Sequence, residues 1–176
     1  MIINKWKSDG RDVVSKWITS SNYKKFKPIT QVYGVCFTEA VKVLIIKDDG
    51  KTQWKLPGGT PEKNETPIET LKREVFEEAT VTLEKCKMIG CQETEIEKKI
   101  IYQLRYVAII EEIKKHTIDS CDNKWVKRKF IDSKNFNRYV KWGDIGREMF
   151  KVAYGWFEKN EKKFLYLFTL GHYLLV

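Results

Sequence analysis

Histidine is nearly missing from this chain: His116 and His172 are the only two in 176 residues. Cysteine is almost as scarce, and Cys36, Cys86, Cys91 and Cys121 form no C-x-x-C pair and no finger-like spacing. A Cys/His zinc centre is therefore not expected, and no Ser-His-Asp or Cys-His nucleophile is apparent. The four thiols read as reduced, small core residues of a cytosolic protein. Ten glycines and four prolines are too few for a collagen-like or low-complexity chain. Long apolar runs are lacking too. The N-terminal MIINKWKSDGRDVV holds no signal-peptide core. Phe164–Val176 is interrupted by Gly171 and His172 and falls short of the roughly 20 residues that span a bilayer. This tail reads as a packed terminal strand or as a surface covered by a second subunit, and the expectation is a soluble, cytoplasmic protein and a possible homodimer.

What is present suits one domain over 1–176. The chain is long enough to bury its own core without disulfides or a structural metal. Its charge is uneven: +9 overall, but +6 over residues 1–58, −5 over 59–97 and +8 over 98–176. An acidic centre inside a basic protein suits an anionic partner held near clustered carboxylates.

Hydrophobic periodicity orders the elements. Val13, Val14, Trp17 and Ile18 suggest a short helix over Asp12–Ser20. Thr30–Thr38 and Val41–Lys47 are rich in β-branched and aromatic residues and read as a hairpin joined at Glu39-Ala40. A short strand is expected at Gln53–Leu56, before Pro57-Gly58-Gly59. From Thr66 to Ala79 the period becomes helical, with Ile68, Leu71, Val75 and Ala79 on one face. Strands follow at Val81–Glu93, Ile100–Ile113 and Trp125–Ile131, and an amphipathic helix at Ile145–Phe157. The order β-β-β-α-β-β-β-α argues for α+β rather than a doubly wound parallel sheet.

The chemistry concentrates between Gly58 and Val81. Glu74, Glu77 and Glu78 stand at i, i+3 and i+4 and share one helix face. Three carboxylates so close repel one another unless a cation sits among them. Oxygen-only ligands favour a hard divalent ion such as Mg²⁺, with Mn²⁺ as a substitute. Arg73 is placed to reach back to Glu69 or forward to Glu77 and orient a carboxylate. Gly58 and Gly59 let backbone approach a bound group.

The full spacing, Gly59, Glu65, Arg73-Glu74-Val75, Glu77-Glu78 and Val81, resembles the signature of the Nudix hydrolase family, G-x5-E-x7-R-E-U-x-E-E-x-G-U, where U is a bulky aliphatic residue. Only Thr80 departs from it, standing where the motif has glycine. A glycine there would close the helix left-handed, so Thr80 suggests a different ending, with the chain running directly into the next strand. The Leu56-Pro57-Gly58-Gly59 lead-in and Trp54 are further family habits.

The resemblance implies an α/β/α sandwich on a mixed, largely antiparallel sheet. It implies catalytic divalent ions held by Glu74, Glu77, Glu78 and the Gly58 carbonyl, with Arg73 and Glu65 in support. It implies hydrolysis of a diphosphate joined to another moiety, foremost a nucleoside triphosphate to monophosphate and pyrophosphate. A dinucleoside polyphosphate or an RNA 5′ end is the alternative substrate, and a catalytically silent nucleotide-binding module the alternative class.

Further candidates lie outside the box. Asp122, in the loop before Trp125, is placed to add a carboxylate as an extra ligand or base. Tyr33, Trp54 and Trp142 are the rings to inspect for base stacking, with Gly59 beside them as a substrate contact. Lys24/Lys25/Lys27 and Lys124/Lys127/Arg128/Lys129 read as solvated basic faces that raise the local concentration of anionic nucleotides, so nucleic acid is expected only as a substrate end.

Overall fold

A computed structural model describes the backbone of residues 2–116 and 126–172, and side chains through residue 160. The chain begins with β1 (Ile3–Ser8) and β2 (Arg11–Thr19), paired antiparallel. Their connection is Asp9-Gly10, both with positive φ (50° and 79°), the conformation that a two-residue turn between twisted strands demands. The helix expected over Asp12–Ser20 is therefore a strand. Its buried positions are Val13, Ser15 and Trp17, an inward alternation hidden in the sequence because the middle residue is a serine.

After a 3-10 turn at Tyr23–Lys25 come β3 (Ile29–Phe37) and β4 (Lys42–Asp48), then the two-residue β5 (Gly58–Gly59). The helix α1 (Pro67–Ala79) leads to β6 (Val81–Ile96), β7 (Lys99–Ile113) and β8 (Val126–Asp132), and the chain closes with α2 (Phe136–Tyr139) and α3 (Gly143–His172). The strand expected over Gln53–Leu56 is reduced to one bridge, Lys55 to Ile46, because the extended pairing moves on to the two glycines. The sheet runs β1-β2-β6-β7-β3-β4-β8, with β5 beside β3. Every pairing is antiparallel except β3 with β7.

Period-two alternation splits these strands between two apolar layers. On one face Val32, Cys36, Leu44, Ile46, Leu104 and Ala108 pack with Leu71, Val75 and Ala79 of α1. On the other Val35, Phe37, Ile45, Val107 and Ile109 pack with Met149, Ala153 and Phe157 of α3. The result is the α/β/α sandwich. In α1, Leu71, Val75 and Ala79 are fully buried as expected, whereas Ile68 is exposed and Pro67 and Thr70 take its place in the interior. Thr66 and Glu69 form a reciprocal capping box that fixes where α1 begins.

Two expectations about the termini and thiols are settled in part. The backbone is helical through His172, so residues 164–172 of the tail form a helix where a strand was one of the expectations. Cys36 and Cys91 are buried, Cys86 is half-buried, and none of the three is in a disulfide. No described helix is long and apolar enough to cross a membrane.

Candidate active site

The site begins where β3 and β4 part. They pair only at Phe37 and Val43, and toward the start of β3 the neighbouring place is taken by β5, with Gly59 opposite Val32 and Gly58 opposite Tyr33. Gly34 N–H donates to the Pro57 carbonyl across 3.0 Å and anchors the approach. Gly58 has φ +137°, and a Cβ there would stand 2.1 Å from the Val32 carbonyl oxygen. A Cβ on Gly59 would stand 2.3 Å from Oε1 of Glu74. The glycine pair thus lets the loop thread between β3 and the carboxylates of α1.

Glu78 is the most enclosed of those carboxylates. Its side chain is 11% exposed, against 16% for Glu74 and 23% for Glu77. Its Oε2 accepts from the Gly58 backbone N–H at 2.8 Å, and Lys55 Nζ lies 3.5 Å from Oε1. Burial nevertheless pushes the Glu78 carboxyl up to about 8. Burial also raises Glu74, against the pull of Arg73. Lys55 pairs at the same time with Asp48 at 3.0 Å; burial works to lower its ammonium, but Glu78 and Asp48 outweigh it and hold it above its ordinary value.

Arg73 gathers the rest. Its Nε donates to Glu65 Oε1 at 2.8 Å and its Nη2 to Glu65 Oε2 at 3.1 Å. Its Nη1 lies 2.9 Å from Glu77 Oε2 and 3.1 Å from Glu74 Oε1, and Nη2 also donates to the Thr60 carbonyl. The expected reach to Glu77 is present, but the backward partner is Glu65 and not Glu69, whose carboxylate is committed to the helix cap. The two-pronged pairing with Arg73, with further bonds from Glu62 N–H and the Thr70 hydroxyl, lowers Glu65 to about 2.

Among the described residues no three His, Cys, Asp or Glu side chains converge closely enough to cage a metal ion. The cause is visible: Arg73 draws Glu74 and Glu77 together on one side, while Gly58 and Lys55 hold Glu78 on the other. The donor set itself is all oxygen and carries three formal negative charges on one helix face, which fits a hard divalent cation.

The other candidates divide. Tyr33 and Trp142 meet edge to face with centroids 5.8 Å apart. Trp54 is elsewhere, edge-on to Tyr139 and under Lys47. Asp122 lies outside the described residues. Sequence reasoning missed Lys55, for which the spacing held no signal. It also missed Arg105, a lone charge in the apolar run YQLRYVAII, now 2% exposed beneath Tyr33 and Trp142.

Thr80 corrects another expectation. The helix does end left-handed, with Thr80 at φ 52° and ψ 49°, despite its branched side chain. The end is held by Arg128, which donates to the Ala79 carbonyl, to the Thr80 carbonyl at 3.4 Å and to the Lys114 carbonyl at 2.7 Å. Arg128, read from sequence as part of a solvated basic face, caps the helix that carries the carboxylates.

The family model of the NUDIX domain matches residues 28–140, more than half of the chain. The chain belongs to the Nudix family. It is an enzyme of this pyrophosphohydrolase family, which acts on diphosphate linkages and typically uses a divalent metal. Among solved structures, it is similar to a mutant of the Bacillus subtilis pyrophosphohydrolase BsRppH, with a TM-score of 0.64 at 20% identity over 85% of this chain and 94% of that one. It is similar to a Nudix hydrolase from Nitrosomonas europaea, with a TM-score of 0.57 at 14% identity over 73% and 90%. A MutT structure from work on Aliivibrio salmonicida and Vibrio cholerae gives 0.55 at 16% identity over 72% and 97%. At these identities the likeness speaks for the fold alone. No curated protein matches the chain.

Proposed function

We propose that this Nudix enzyme hydrolyses a nucleoside diphosphate derivative, with a nucleoside triphosphate, ordinary or oxidised, cleaved to monophosphate and pyrophosphate as the first reaction to test. The observation that carries this reading is the contact between the two halves of the site: Glu78 of α1 holds the Gly58 N–H, and Gly58 pairs in turn with Tyr33 at the mouth of a cavity. The diphosphate lies at the carboxylate face, and the group attached to it extends past Tyr33.

Glu74, Glu77, Glu78 and the Gly58 carbonyl would hold Mg²⁺ or Mn²⁺. A bound divalent ion supplies charge neutralisation on non-bridging oxygens and a water activated near neutral pH. The chain's own residues position and balance charge, which is most of what phosphoryl chemistry asks of a protein. Arg73 fixes Glu65, Glu74 and Glu77 relative to one another. Lys55 supplies a positive charge beside Glu78 that offsets part of the cost of burying it. The Gly58 N–H keeps one oxygen of Glu78 occupied, so the other is the one turned toward Lys55. The general base is a carboxylate, drawn from the box or from Asp122.

The test is a substrate panel with pure protein and Mg²⁺, containing nucleoside triphosphates, dinucleoside polyphosphates and 5′-triphosphorylated RNA, with products identified. Release of monophosphate and pyrophosphate from a nucleoside triphosphate supports the first reading. The charge of +9 favours a second reading, the polyphosphate or RNA end. Tight binding without turnover of any substrate would instead make the protein a silent binding module.

A further inference from the structure

A cavity of about 670 Å³ opens on the α3 face of the sheet, beside Tyr33. Its walls come largely from outside the span matched by the family model: the strand β1, including Lys5 and Trp6, and the segment 141–147 with Trp142 and Arg147. Asn4 ties the two walls together by donating to the Trp142 carbonyl at 3.4 Å. The floor is Gln31 of β3, Gln103 and Arg105 of β7 and Gln92 of β6.

Arg105 determines how that floor is oriented. It is 2% exposed, its Nε has no hydrogen-bond partner, and among the described residues no carboxylate pairs with it. Burial lowers its guanidinium to about 10, the sign of a charge without a counter-ion. A guanidinium can only donate. Its Nη2 therefore requires the oxygens of Gln92 and Gln103, both at 3.0 Å. With its oxygen so committed, Gln103 presents nitrogen to Gln31 Oε1 at 2.6 Å. Among the described residues that leaves the Nε2 of Gln31 without an acceptor, at the end of a chain, Arg105 to Gln103 to Gln31, in which each donor points outward from the buried charge. The rim adds the cations Lys5 and Lys141, and the one acid there, Asp144, is paired with Arg147. A nucleobase edge offers both donors and acceptors; a surface that almost only donates fits a group that only accepts.

We propose that this cavity is an anion subsite for a second, non-scissile phosphate of the substrate, oriented by Arg105 and contacted by Gln31 and Lys5. The inference rests on the hydrolase reading and deepens its second form, in which the substrate carries phosphate beyond the diphosphate being cut. Two sources share this chemistry, the next phosphodiester of a 5′-triphosphorylated nucleotide chain and the far phosphates of a dinucleoside polyphosphate.

The test compares a 5′-triphosphorylated dinucleotide with the same molecule carrying an uncharged methylphosphonate linkage, and with diadenosine tetraphosphate. Affinity is read from tryptophan fluorescence in chelator, since Trp6 and Trp142 line the cavity, and kcat/KM is read in Mg²⁺. Wild type should favour the charged dinucleotide by about tenfold, the weight of one charge-assisted contact. Gln31→Glu, which keeps shape but turns a donor into an anion, and the exposed Lys5→Glu should bring that ratio toward one. Lys134→Glu, outside the cavity, should leave it. A loss in Gln31→Glu seen for the dinucleotide assigns the anion to a chain end, and one seen for the tetraphosphate assigns it to a polyphosphate; either supports the subsite. Equal binding of charged and uncharged dinucleotides, with tetraphosphate binding unchanged in both variants, overturns it. So does a preference that follows the identity of the base rather than the charge of the linkage. Absence of any turnover would fail the hydrolase reading, while the binding ratio would still decide the subsite.

Discussion

The backbone N–H of Gly58 donates to Oε2 of Glu78 across 2.8 Å, joining residues twenty apart in sequence. This bond places a loop glycine against the most buried carboxylate of α1, and the same glycine is hydrogen-bonded into the sheet beside Tyr33. Helix, loop and strand are thereby held in one register at the site.

The two glycines of that loop should respond differently to alanine. In Gly58→Ala the added methyl meets the Val32 carbonyl oxygen at 2.1 Å, and φ is +137°, so backbone must move. A destabilisation of about 3 kcal/mol is expected, seen as a lower urea midpoint. In Gly59→Ala the obstruction is the Glu74 carboxylate at 2.3 Å, the end of a flexible side chain. Stability should change by less than half as much, while metal affinity measured by calorimetry should fall because Glu74 is displaced. Equal losses of stability in both would refute this division.

Thr80 holds a left-handed conformation at φ 52° that glycine adopts without steric cost. Thr80→Gly should therefore stabilise the protein by about 0.5–1 kcal/mol, after allowing for the looser unfolded chain and the lost hydroxyl contact with His116 at 3.4 Å. A melting temperature below that of wild type would show that the threonine side chain contributes more than its strain costs.

The Arg73–Glu65 pair gives a pH signature of known sign. Glu65 is lowered to about 2, chiefly by Arg73, from an ordinary value of 4.5. The stabilisation it brings is present above pH 4.5 and is lost as pH falls through about 2. Glu65→Gln should cost roughly 1–2 kcal/mol near neutrality. The gap in melting temperature from wild type should then narrow below pH 4.5. A gap that is constant from pH 7 to pH 3 would sever the pair from stability.

Removing divalent metal with EDTA should abolish turnover, and Mg²⁺ or Mn²⁺ should restore it, with Zn²⁺ restoring it poorly because the donors are all oxygen. Full turnover in chelator would exclude a metal-holding role for the carboxylate face.

How much of this was legible in the sequence follows from where the signals are local. The box helix was readable because Leu71, Val75 and Ala79 repeat at helical spacing and the charged residues fall at fixed intervals between them. The second strand was misread as a helix because Ser15 breaks its apolar alternation, and the first was not read as an element. That serine is buried against Thr94 at 2.7 Å and accepts from Gln92 Nε2 at 3.3 Å, so the break records a polar contact that backs a residue of the cavity floor. The Asp9-Gly10 pair is a hairpin signal in its own right and points to the strand pair that the apolar spacing obscures. Arg105 and Arg128 were invisible for another reason: one underlies Tyr33 from the neighbouring strand and the other caps a helix 48 residues earlier, and no spacing rule reaches such partners.

Glu78 is the box residue on which the most should depend, and chelated protein separates its two effects. Its carboxyl is pushed up to about 8 by burial, with Gly58 N–H and Lys55 acting against that push and Glu74 and Asp48 adding to it. In the unfolded chain it titrates near 4.5. Between those values the folded protein retains a proton that the unfolded chain releases, so stability falls as pH rises from about 4.5 to 8. Glu78→Gln removes that dependence while keeping an oxygen for the Gly58 N–H. Without metal the variant should melt higher than wild type at pH 8, by about 2 kcal/mol or roughly 5 °C, and the difference should shrink toward pH 5. With Mg²⁺ the same change should lower turnover by about 10²–10⁴-fold, because a charge is lost beside the transferring phosphoryl group. Glu77, more exposed and already held by Arg73, should matter less. Wild-type turnover in Glu78→Gln beside a dead Glu77→Gln would reverse the order of importance drawn from burial, and a metal-free melting temperature lowered at pH 8 would show that the buried charge is better compensated than its surroundings indicate.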